Sequence, residues 1–109
     1  MPSKGLVTVT RNGQVEMKII AGSNGHKAVA LANCIRRQRT LPYPAQVGYN
    51  VAALHGFGSE DSLVVMDRMR IDFRGGVELS PLCRSTFDQP EFNPLSEDGA
   101  ADFVEIVEL

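Results

Sequence analysis

Residues 5–21 place Asn12-Gly13 between two stretches rich in β-branched side chains, and that dipeptide constrains the fold more than any other feature of the chain. Asn-Gly adopts the positive φ angles of a type I′ turn, whose twist matches that of two paired antiparallel strands. Leu6-Val7-Thr8-Val9-Thr10 supplies one strand and Val15 to Ile20 the other. In the second, Val15, Met17 and Ile19 alternate with Glu16, Lys18 and Ile20, which predicts one core face and one largely wet face.

Gly22-Ser23-Asn24-Gly25 breaks the strand, and Ser23 or Asn24 is placed to cap a following helix. Ala28, Leu31, Ala32 and Ile35 fall at i, i+3, i+4 and i+7, the stripe of an amphipathic helix of about three turns. Arg36, Arg37 and Arg39 crowd its C-terminal end. Thr40-Leu41-Pro42-Tyr43-Pro44 is a stiff connector, and Val47, Val51 and Leu54 suggest a second helix over 44–54, stopped by Gly56 and Gly58. Leu63 to Met66 and Arg68 to Phe73 read as strands, the latter with Met69, Ile71 and Phe73 inward. Gly75-Gly76 turns the chain into a short Val77-Glu78-Leu79 strand. Residues 80–101, with Pro81, Pro90 and Pro94, read as a long irregular segment that Phe87 and Phe92 favour packing down. DFVEIVEL, residues 102–109, reads as a final strand with Val104 and Ile106 on one face. The expected architecture is one α+β domain over 1–109: a mainly antiparallel sheet of about four to six strands with two helices packed on one face.

A chain of 109 residues has room for one core. No apolar run reaches the roughly 20 residues of a spanning helix, and the N-terminus lacks a signal peptide's apolar region. The expectation is a cytoplasmic protein with no membrane association, in which Cys34 and Cys83 stay reduced. Residues 1–58 carry seven basic side chains against Glu16 alone, and 59–109 carry four arginines against twelve acids. Packing of the two halves would interleave these charges.

No coherent catalytic set emerges. The Gly22–His26 turn is neither a GxxxxGK[ST] nor a GxGxxG loop and reads as a helix-capping turn. His26 and His55 lie in no metal-binding spacing, and no metal or cofactor is expected. Pro2 is followed by Ser-Lys-Gly and a hairpin, unlike the β-α-β start of tautomerases that use a terminal proline. The Arg36, Arg37 and Arg39 cluster suits phosphate. However, a pI of about 5.6 and 6% aromatics without tryptophan argue against nucleic-acid binding.

The block Thr8-Val-Thr-Arg-Asn-Gly-Gln-Val, followed by Ala21-Gly-Ser-Asn-Gly-His and a Leu-Ala-containing helix, resembles a family of small bacterial and phage proteins. These pair a hairpin with a Ser/Trp-Asp-Gly-Tyr-Pro loop and a helix. Ser23-Asn24-Gly25-His26 stands where that loop would be, with Asn for Asp, His for Tyr and no proline. The resemblance covers about 35 of the 109 residues and implies a mobile-element or accessory-gene setting, with no assigned activity.

Three functions remain as expectations. The leading one is a non-enzymatic accessory domain that binds another protein or itself through sheet edges. The second is a small enzyme or ligand-binding protein with a pocket lined by Tyr43, Tyr49, His55, Phe57 and Arg70. The third is nucleic-acid binding through Arg36, Arg37 and Arg39.

Overall fold

The hairpin forms as the Asn-Gly turn requires: Asn12 has φ 54° and Gly13 φ 78°, between β1 (Gly5–Arg11) and β2 (Gln14–Ala21). The computed structural model describes residues 4–21, 25–38, 40, 63–72, 76–83 and 102–109. A 3₁₀ turn at Gly25–Lys27 leads into α1 (Ala28–Arg37), and β3 (Leu63–Met66), β4 (Met69–Asp72), β5 (Gly76–Leu79) and β6 (Phe103–Glu108) complete the described elements. The expected second helix over 44–54 lies outside the described residues, as do 84–101, so among the described residues the sheet carries one helix.

The six strands form one mixed sheet in the order β5-β4-β3-β2-β1-β6. Four neighbouring pairs are antiparallel, as expected, but β6 lies parallel to β1, pairing Gly5 with Phe103 through to Thr10 with Glu108. Nothing local to either strand encodes that pairing. Both ends are pinned by backbone bonds: the Asp102 and Phe103 N–H groups donate to the Lys4 carbonyl (2.8 and 3.2 Å), and Leu109 N–H donates to the Thr10 carbonyl (2.7 Å). The Lys4 N–H also donates to the Asp102 carboxylate (3.0 Å).

Helix α1 buries the predicted stripe, Ala28, Leu31, Ala32 and Ile35, against Val7, Val9, Met17, Ile19, Val64, Met66 and Val107. Burial of a Leu or Ile side chain of this kind contributes about 1.5–3 kcal/mol. Met69 and Ile71 pack at the margin of the same core, as the alternation predicts, whereas Phe73 lies outside the described residues.

Two local expectations change. The opposite face of β2 is not wet, because Leu6, Ile20 and Val65 are buried there, with Val15 and Leu63 packed against them. Val15 leaves the face of Met17 and Ile19 because the register shifts between Val9 and Thr10, so that Thr10 pairs with Val15 and Glu16 is the extra residue. A bulge of one residue sends the side chains beyond it to the other face. The bulged Glu16 accepts a hydrogen bond from Arg11 Nε at 3.1 Å.

The second change concerns the helix start. The residue capping α1 is Lys27, without a side-chain cap bond, while Ser23 and Asn24 lie outside the described residues. Gly25 has a different task from turning. A Cβ on it would stand 2.3 Å from the Lys4 carbonyl carbon, and one on Gly5 would stand 2.8 Å from the Gly25 carbonyl oxygen. The helix entry and the first residue of the sheet therefore cross backbone on backbone, and a glycine stands on each side.

Candidate functional site

Strand order decides which backbone groups a sheet leaves to its edges, and among the described residues the two outer strands are β5 and β6. On β5, the Ser80 N–H donates to the Arg68 carbonyl (3.1 Å), and the pairing continues as Glu78 with Arg70 and Gly76 with Asp72. In an antiparallel ladder every second residue turns its N–H and C=O to the neighbour. Residues 76, 78 and 80 thus face β4, and Val77 and Leu79 present their backbone groups to the outside. Their side chains, opposite Ile71 and Met69, lie on the helix side of the sheet. Val77 is 64% exposed and Leu79 73%, with Leu82 also exposed in the turn that follows.

On β6 the parallel pairing turns residues 103, 105, 107 and 109 toward β1 and leaves 104, 106 and 108 facing out. Arg36, in the last turn of α1, reaches this edge. Its Nη2 donates to the outward carbonyl of Ile106 (2.8 Å), while Nη1 donates to Asn33 Oδ1 (2.9 Å) and lies 4.0 Å from Glu105 Oε1. Glu108, at the end of β6, accepts from the Thr10 hydroxyl and from the Gly13 N–H (3.4 Å). Its carboxyl is held below the usual 4.5, chiefly by the Thr10 hydroxyl; desolvation opposes this, and the backbone N–H groups of Gly13 and Asn12 lower it further by lesser amounts.

The residues singled out in the sequence separate accordingly. Arg36 is engaged in structure, which joins the basic N-terminal half to the acidic C-terminal half. Arg37 is exposed, and Arg39 lies outside the described residues. Arg70 and Asp72 share the face opposite α1, as the alternation implies, and with Gly76, Val77 and Glu78 they line an open cleft of about 150 Å³. Tyr43, Tyr49, His55 and Phe57 lie outside the described residues. His26 is exposed in the 3₁₀ turn, and Cys34 and Cys83 are free thiols, Cys83 buried. Among the described residues no three His, Cys, Asp or Glu side chains are grouped to hold a metal ion, and no helix is long and apolar enough to cross a membrane. The short alternation Val77-Glu78-Leu79 was a visible signal for the β5 edge, but its exposure follows only from its outermost place in the sheet.

No protein-family model, curated protein or solved structure matches this chain.

Proposed function

We propose that this domain is a non-catalytic protein-interaction module that takes up an extended polypeptide segment along the open edge of β5. The observation that carries the reading is the coincidence, at Val77 and Leu79, of outward backbone groups with apolar side chains 64% and 73% exposed. Strand addition uses both: main-chain hydrogen bonds supply affinity, and alternate side chains supply selectivity. An exposed, uncharged pair of this kind is also what natural sheets ordinarily remove from an edge.

The small-molecule reading draws less support. The cleft at Arg70 holds about 150 Å³, below the roughly 300–1,000 Å³ of ordinary ligand pockets. The nucleic-acid reading loses Arg36 to the β6 edge.

A displayed library of random ten-residue peptides tests the proposal. Peptides retained by the wild-type chain and lost by the Val77→Lys, Leu79→Lys double variant, at unchanged melting temperature, support it. A chain that retains no peptide dependent on these two positions, and does not self-associate through them, overturns it.

A further inference from the structure

We propose that Asn12 is a site of spontaneous modification in the folded chain, where the Gly13 backbone nitrogen displaces ammonia from the Asn12 side chain, and that Glu108 governs its rate. The inference is independent of the strand-addition reading.

Asn-Gly occurs twice, as Asn12-Gly13 and Asn24-Gly25. Glycine has no Cβ to shield its nitrogen, so both dipeptides carry the reactive grouping. The glycine nitrogen bonds to the asparagine Cγ, its proton leaves with the side-chain NH2 as ammonia, and a five-membered succinimide remains. Water then opens the ring. Cleavage at Cγ gives aspartate, and cleavage at the main-chain carbonyl gives isoaspartate, whose backbone runs through the side chain.

The fold separates the two sites. Asn12, Gly13 and Gln14 are exposed at the hairpin tip, so opening the turn there uncovers no core. Gly25 is buried, with its backbone against Lys4 and Gly5. Rotation of that peptide requires the helix entry to part from the sheet.

Even at the tip, the closed turn is unreactive. Ring closure needs the Gly13 nitrogen and the Asn12 Cβ on the same side of the Asn12 Cα–C bond. In a type I′ turn the first central residue has ψ of about +30°, which sets the two nearly opposite. The φ values of 54° and 78° are those of this turn. Reaction therefore proceeds from the opened turn, at a rate that follows the open fraction. Glu108 holds the turn from outside the hairpin: its carboxylate accepts from the attacking nitrogen, Gly13 N–H, at 3.4 Å, and from the Asn12 N–H. A carboxylate is too weak a base to take an amide proton, and its charge opposes an amide anion, so the contact protects rather than catalyses. Either product adds a negative charge beside Glu108, and isoaspartate also lengthens the backbone of the turn by a methylene. Modification thereby loosens the tie between the turn and β6.

Incubation of the full chain at mildly alkaline pH, followed by trypsin and mass spectrometry, tests the proposal, because the two sites fall on separate peptides, Asn12–Lys18 and Ile19–Lys27. In denaturing urea both sites should convert. In the folded chain Asn12 is expected to convert to aspartate and isoaspartate ahead of Asn24. Glu108→Ala should speed conversion of folded Asn12 by roughly twofold to tenfold, the effect of losing one hydrogen bond. Asn24 in the folded chain, and both sites in urea, should keep their rates. Folded Asn12 that stays intact, or that converts no faster than Asn24, overturns the site. An Asn12 rate indifferent to Glu108→Ala overturns the role of Glu108. Equal acceleration of both sites overturns it as well, because the variant then acts through global unfolding.

Discussion

At the β6 edge a guanidinium occupies one outward carbonyl, that of Ile106, whereas at the β5 edge no described side chain is shown on an outward backbone group. Both strands carry exposed apolar residues, Val104 and Ile106 on one and Val77 and Leu79 on the other, so hydrophobicity does not distinguish them. The difference lies in what stands beside each strand. The helix α1 lies over the β1–β6 side, and its last turn delivers Arg36 to the Ile106 carbonyl. Glu108 ties the far end of β6 to the hairpin turn. On the β4–β5 side, Met69 and Ile71 pack at the margin of that core, and Val77 and Leu79 are exposed. An edge is thus defined by its neighbours in three dimensions. A covered edge is blunted against pairing, and an uncovered one invites it.

The contrast between the two sides can be broken by substitution. The largest effect is expected under α1. Leu31→Ala, at a fully buried position, should cost about 3–5 kcal/mol in urea unfolding. Leu79→Ala, at the open edge, should change monomer stability by less than about 0.5 kcal/mol. Equal losses at the two positions would mean that β5 is packed as firmly as the helix. Next is Gly25→Ala, whose Cβ would meet the Lys4 backbone at 2.3 Å; because backbone yields less than a side-chain end, a loss of about 3 kcal/mol is expected. Gly76→Ala meets no atom within 4 Å. It should cost only the strain of its φ of 107°, about 1–2 kcal/mol. Smaller still, Arg36→Ala should lower stability by about 1 kcal/mol. Its sharper readout is faster hydrogen exchange of the α1 C-terminus and β6, together with increased self-association through the uncapped edge.

The smallest effect is electrostatic. Because the folded carboxyl of Glu108 titrates below its ordinary 4.5, its contribution is fully present above that value and is lost as pH falls through the folded value. Urea midpoints of the wild type and Glu108→Gln should therefore converge as pH is lowered from 6 through 4.5 and below. Parallel curves would show that the contact with Thr10 and the turn does not hold β6.

Much of the fold was legible locally. The Asn12-Gly13 turn, the α1 stripe and the Leu63–Met66 strand each carry their signal within a few residues, because turn geometry and side-chain periodicity are short-range properties. The Val15 expectation failed for the opposite reason. Alternation through Val15, Met17 and Ile19 assumes an unbroken ladder, and the bulge opposite Val9 and Thr10 is a property of the pair of strands. Of the candidate site residues, Arg70 is found at a cleft, but the role of Arg36 could not be read from its neighbours, since its acceptor is a backbone carbonyl 70 residues away.

The sequence by itself determined the opening hairpin and the amphipathic helix that follows it, because both follow from residues adjacent in the chain. Only the tertiary structure decided that β6 would lie parallel to β1, that Gly5 and Gly25 would cross, and that β5 would be an outer strand of the described sheet with Val77 and Leu79 exposed. Those outcomes depend on contacts between distant segments. Their cost is the entropy of bringing those segments together, and what offsets it is burial that no single stretch of the chain achieves alone.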